Sequence, residues 1–156
     1  MYQINDIADF IIFRLNADEN NPITHLKLQK LLYYTQAWHM AFYNTKLFDG
    51  QFQAWIHGPV NREIYNRFKD TKYLYSHITN EDIKNISISD SLNNEAIIHI
   101  DSILEAYDKY SGIELEIMTH NEEPWIAARK GYSSNQRCET EIDETLMQSY
   151  YAKRLK

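Results

Sequence analysis

The sequence predicts a mainly α-helical fold: a compact single-domain helical bundle with at most a short β-strand pair around residues 52–57. Three observations predict it. Proline and glycine are scarce, 3 and 4 in 156 residues, so there are few punctuation points for strands and tight turns. Apolar residues recur at spacings of three and four over several long stretches, which is the period of a helix face. No internal repeat or low-complexity linker divides the chain, so residues 1–156 are expected to form one domain.

The elements follow in order. Ile4, Ile7, Ala8, Ile11, Ile12 and Leu15 lie on one face of a first helix. Ala17 to Pro22 is polar, ends in Asn-Pro and is expected to be a loop. Thr24 stands where an N-cap belongs, because its hydroxyl can accept an orphan backbone N–H. Leu28, Leu31, Leu32, Thr35, Trp38 and Phe42 then make the strongest helix, ending near Tyr43. Asn44 to Phe52, with Asp49-Gly50, reads as a turn, and Phe52 to His57 alternates as a short extended segment. Gly58-Pro59 breaks the chain. Proline suits the first turn of a new helix, whose buried face would be Val60, Ile64, Tyr65 and Phe68.

Tyr73 to Ser89 is ambiguous, with one turn of helix expected near Glu81-Asp82. Leu92, Ala96, Ile97, Ile100, Ile103, Leu104 and Tyr107 form the second strong helix, and Gly112 would mark its end or a kink. A shorter helix through Leu115 and Met118 and another opening at Pro124 follow. Thr140 and Asp143 resemble a capping box for a last helix over residues 139–155, using Ile142, Leu146, Met147 and Tyr150.

Composition narrows the function class. Hydrophobic residues at 44% and charged residues at 24% are ordinary for a globular protein and exclude a disordered tail or a collagen-like fibre. Lys and Arg number 16 against 22 Asp and Glu, for a net charge of -6. That balance disfavours a free-standing nucleic-acid binder, whose affinity comes from phosphate contacts. It suits a basic protein partner, and plain solubility would explain it equally well. Cys138 is the single cysteine, which excludes an intramolecular disulfide and points to a reducing compartment. The start, MYQINDIADF, has no basic region and no cleavage site, and no apolar run approaches the roughly 20 residues of a membrane helix. A cytoplasmic protein with no membrane partner is expected.

One set of residues carries more. Leu26 to Tyr34 reads LKLQKLLYY, followed by Trp38-His39, Leu47-Phe48, Ala54-Trp55 and Gly58-Pro59-Val60. Far downstream stand Thr119-His120, Pro124-Trp125 and Ala128-Arg129. In this order the chain resembles the Panacea, or SocA-like, antitoxin domain, often met in phage-associated genes. The match covers about residues 3–130. The resemblance implies a non-enzymatic protein that neutralises a cognate toxin encoded by an adjacent gene, by direct binding. A variant is an adaptor that presents the toxin to a host protease. The family supplies no catalytic residues and implies no cofactor. The chain has no Cys-x-x-Cys pair, so self-repression through DNA binding has no basis in the sequence.

Other readings use the same residues. His39, His57 and His120 lack the helical i, i+4 pairing of a catalytic zinc site, so hydrogen-bonded histidines are expected rather than metal ligands. His120 with Glu123 could serve a hydrolase as acid and base. The alternative places Thr119 and His120 at the end of one helix and Glu122 and Glu123 at the start of the next, where carboxylates favour the helix dipole. A further alternative is a phage-encoded regulator that binds a host protein. Trp38 is expected in the core, and Gly58 is expected to serve a backbone conformation that a side chain would obstruct. Lys27 and Lys30 are expected on a solvated face, and Gln29 and Gln36 against partner backbone. The expected partner-binding residues are Trp55, His57, Pro59, Val60, His120, Glu123 and Trp125, polar and aromatic groups at chain breaks between helices.

Overall fold

A computed structural model describes residues 1–17 and 23–155. From residue 18 onward, the expected loop at Ala17 to Pro22 lies outside the described residues. Helix α2 (His25–Tyr43) runs through the centre, and every residue from His25 to Ala37 is buried. Its start is set by the Thr24 hydroxyl, which accepts the Lys27 N–H at 3.2 Å. Its end is set by Asn44, whose left-handed φ of 59° lets its N–H return to the Met40 carbonyl.

The remaining helices enclose α2. Helix α1 (Ile4–Leu15) buries the whole predicted face. Helix α5 (Asn94–Tyr107), capped by the Asn93 side chain, buries Ala96, Ile100, Ile103 and Leu104. Helices α6 (Gly112–His120) and α8 (Glu144–Ala152) also lie against α2, and the short α7 (Glu123–Ala128) bridges α6 and α8. Strand β1 (Ile23–Thr24) pairs antiparallel with β4 (His77–Ile78). Strands β2 (Gln53–Trp55) and β3 (Gly58–Val60) form a hairpin closed by Ile56 and His57, which leads into α3 (Arg62–Phe68). Helix α4 (Ile88–Ser91) is a single turn packed on α1, and the turn expected near Glu81-Asp82 is a 3-10 helix over Asn80–Asp82. No helix among the described residues is long and apolar enough to cross a membrane.

Several expectations are corrected. Pro59 opens no helix: it lies in β3, and α3 begins at Arg62 under the Asn61 side chain, which accepts the Ile64 N–H at 3.0 Å. Gly112 does not end α5 but is the first residue of α6, under a Ser111–Glu114 capping box. A side chain there would put its Cβ 3.0 Å from the Lys27 backbone nitrogen, so glycine permits the close approach of α6 to α2. The last helix is capped by Asp143, not Thr140, whose carbonyl instead accepts the Ala54 N–H. Phe42, expected on the buried face, is 54% exposed because α2 emerges from the bundle near its end. Lys27 and Lys30 lie on no solvated face, since α2 is buried all round from His25 to Ala37. Lys27 donates to the Asp108 carbonyl at 2.7 Å and its carboxylate at 3.2 Å, closing the C-terminus of α5.

Candidate partner-binding site at the β2–β3 hairpin

The hairpin is where the chain's distant motifs meet. Gly58 adopts φ +90°, which lets Ile56 and His57 close it. A Cβ at Gly58 would lie 2.6 Å from Lys30 Cε and 2.8 Å from Thr119 Oγ1. The strand carbonyls are taken by side chains from three other elements. Lys30 Nζ donates to the Pro59 carbonyl at 3.0 Å, Trp125 Nε1 to the Trp55 carbonyl at 2.8 Å, and Arg129 Nη1 to the Ala54 carbonyl at 2.8 Å. Gln29 spans Asn61, accepting its N–H at 2.8 Å and donating to its carbonyl at 3.2 Å. Gln36 does the same at Phe48, accepting its N–H at 3.4 Å and donating to its carbonyl at 2.7 Å. Both glutamines, expected to meet partner backbone, are occupied by the chain's own.

This framework buries ionisable groups. Lys30 is fully buried, and burial lowers its pKa from the ordinary 10.5 to about 7, while Glu116 pulls the other way. His25, beside Gln29, falls to about 4 through burial and the nearby Lys30 charge. Behind the hairpin, the Glu122 carboxylate accepts the hydroxyls of Tyr34 and Tyr151, each at 2.8 Å. Burial raises the Glu122 pKa, and the two tyrosine donors oppose it. Tyr34 stacks on Tyr107 at 4.2 Å, and the Tyr107 hydroxyl accepts the Trp38 indole N–H at 2.7 Å. Trp38, expected in the core, is half-buried and packs against it.

The sequence-predicted residues divide by exposure. Pro59, Val60 and Trp125 are buried. Trp55, His57 and His120 are half-buried, and Glu123 is exposed on the first turn of α7. His57 Nδ1 lies 3.2 Å from the Glu116 carboxylate. The His120 ring stacks on Trp125 at 4.1 Å, with its Nε2 buried and unbonded, and burial lowers its pKa. The helix-boundary account of this turn holds: α6 ends at His120 and α7 begins at Glu123.

The structure adds residues that sequence reasoning missed. Arg62 stacks 4.8 Å from the Trp55 ring and 5.7 Å from Tyr65, and those two rings meet edge to face at 4.8 Å. Arg62 also pairs with Glu139, which bonds Arg137 at 3.0 Å. The two arginines, Arg137 foremost, hold the Glu139 carboxyl below its ordinary value. Together with His57 these groups line a groove of about 330 Å³. The spacing of Arg62 and Tyr65, three apart on one helix face, was visible in the sequence. Glu139, 77 residues from Arg62, gave no such signal.

Comparison with known proteins is consistent with this arrangement of motifs. The profile of the family described as antitoxin SocA-like, Panacea domain, matches residues 28–126. The chain is 30% identical over 120 residues to a protein named antitoxin SocA from Caulobacter vibrioides (strain NA1000 / CB15N). That alignment covers 73% of this chain and 64% of the relative, so the chain spans a little under two thirds of the relative's length. No solved structure matches.

Proposed function

The chain belongs to the SocA-like Panacea domain family, and from that premise we propose that it is an antitoxin, a non-catalytic protein that neutralises a cognate toxin by direct contact. The observation that carries this reading is the use to which the family's motif residues are put. Lys30, Gln29, Trp125 and Arg129 are spent on the hairpin's main chain, and Gly58 on its closure. Such a framework supports a rigid, shaped surface and aims none of these groups at a substrate. The hairpin then offers Trp55 and His57 at the surface, an aromatic and a polar group on a fixed turn. Aromatic anchors on rigid supports dominate the energetics of protein interfaces. His120 and Glu123 extend the same proposed surface, and the buried Pro59, Val60 and Trp125 hold its shape.

In this reading the partner is the toxin encoded by the adjacent gene, and neutralisation is occlusion of its active site or capture of an inactive form. The adaptor variant, in which the captured toxin is passed to a host protease, uses the same surface. The first test expresses the adjacent gene with and without this protein. The expected result is growth arrest by the neighbour alone and restored growth on co-expression, with the two proteins recovered as a complex. A harmless neighbour would overturn the reading. Trp55→Ala is expected to weaken the complex at least tenfold while the far-UV circular dichroism and the unfolding midpoint stay close to the parent's, because the ring is only half-buried. Unchanged affinity would remove Trp55 from the interface.

A further inference from the structure

We propose that the groove beside Trp55 seats a carboxylate side chain, Asp or Glu, from an apolar-flanked segment of a partner protein, which replaces Glu139 on Arg62. The inference rests on the reading that the hairpin face binds protein, and it adds the chemistry of what is bound there. Four observations carry it.

Arg62 is pre-aimed. Its guanidinium is held over Trp55 and against Tyr65, and Gln53 Oε1 lies 3.5 Å from its Nη2. A planar fork fixed in this way loses little freedom when it binds a carboxylate with two parallel hydrogen bonds. The internal counter-ion is open to exchange. Glu139 lies outside any helix or strand, its side chain is 41% exposed, and pairs of this kind contribute little net stability in water. Among the groove's lining residues the charge is unbalanced, because Arg62 and Arg137 share the one carboxylate there. An incoming acid therefore leaves Glu139 paired with Arg137 and takes Arg62 for itself. The walls are apolar: Trp55, Tyr65 and Ile56 line the groove, and its volume of about 330 Å³ accommodates one acidic side chain with a neighbouring apolar one.

The same observations favour a protein acid over a nucleic-acid phosphate. The chain carries -6 overall, and Glu116 stands beside His57 at the groove's rim. A polyanion would meet that field along its whole length, whereas a single carboxylate meets only the local positive excess.

The test uses the full 15N-labelled chain and reads the Trp55 indole N–H and Arg62 Nε–H resonances. The probes are acetyl-Ala-Leu-Glu-Leu-Ala-amide, its Gln counterpart, and inorganic phosphate. The expected result is saturable shifts with the Glu peptide and binding about tenfold weaker or less with the Gln peptide, the factor a charge-assisted pair is worth. Phosphate is expected to shift these resonances only weakly. Glu139→Gln should tighten the Glu peptide severalfold by vacating Arg62. Arg62→Gln should reduce it to the level of the Gln peptide with the remaining amide spectrum unchanged. Equal binding of the two peptides, no binding of either, a weakening in Glu139→Gln, or phosphate competing as well as the Glu peptide would each overturn the proposal. Failure here leaves growth rescue by the chain untouched. Conversely, a harmless neighbouring gene product overturns the antitoxin reading without altering what the peptides report.

Discussion

Lys30 places an ammonium group where water does not reach, and its best-defined bond is to one backbone carbonyl, that of Pro59. Taking a charge out of water is costly, so the neutral form gains and the pKa drops from 10.5 to about 7. The sign of the stability effect follows from proton counting. Between about pH 7 and 10.5 the unfolded chain binds a proton at Lys30 that the folded chain releases, so stability rises with pH across that window. Below pH 7 both states are protonated and the full cost is carried, on the order of 5 kcal/mol. His25 acts in the same direction in acid, since its pKa falls from 6.5 to about 4, and the folded chain loses stability as pH drops through that interval. Lys30→Met, which keeps the length and removes the charge, is therefore expected to flatten the pH dependence. Its urea midpoint relative to the parent's should be higher at pH 6 than at pH 9. A difference that does not change with pH would show that Lys30 titrates normally. The glutamines solve a related problem without charge. Gln29 and Gln36 each bond both the N–H and the carbonyl of one main-chain residue, as a neighbouring strand would.

At the scale of elements, the β2–β3 hairpin is too short to hold itself, because three residue pairs bury little on their own. Its stability comes from α2, α7 and the segment after α7, each supplying a donor to its carbonyls. That dependence gives Gly58 its importance. Gly58→Ala combines a left-handed φ that side chains avoid with a Cβ pressed on Lys30 and Thr119. The expected cost is about 2 kcal/mol or more, read as a lowered urea midpoint. The Trp55 fluorescence should also change in the native state, because the ring's position depends on the turn. An unaltered midpoint would mean that the hairpin is braced less tightly than its hydrogen bonds imply. Helix α8 is tied into the same framework through Tyr151, which reaches Glu122 at 2.8 Å and Tyr33 at 3.2 Å.

At the scale of the whole molecule, these ties join residues far apart in the chain: Tyr34 to Glu122, Arg129 to Ala54, Tyr151 to Tyr33. Helices α1, α5, α6 and α8 all pack on α2, and α3 meets its start where Phe68 lies 5.2 Å from the His25 ring. A structure with one central buried helix has no half that keeps its core when the other opens. Unfolding is therefore expected as a single transition, with far-UV circular dichroism and tryptophan fluorescence following coincident curves in urea. Two separated transitions would show that the C-terminal segment, or the stretch between α3 and α5, folds as its own unit. The predominantly helical class was legible in the sequence because long amphipathic stretches repeat their period many times: α1 buries the face expected of it, and α5 buries Ala96, Ile100, Ile103 and Leu104 of its own, with Ile97 and Tyr107 partly buried and Leu92 left at the end of α4. The β1–β4 pair was not legible, since strands of two residues carry no period.

The sequence by itself determined the helical class, the strong helices, the turn between His120 and Glu123, and the family through motif order. These are local or ordered signals, and a linear chain records them. Only the tertiary structure decided what those motif residues do. Lys30 reads as a surface lysine from its spacing, and it is buried because α2 is covered on all sides from His25 to Ala37. Pro59 reads as a helix opener, and it is a strand residue because it pairs with β2 while Lys30 holds its carbonyl and Gln29 holds both main-chain groups of Asn61 beyond it. The groove at Arg62 depends on Glu139 arriving from the far end of the sequence. Burial and convergence are properties of three-dimensional packing, and no spacing along the chain encodes them.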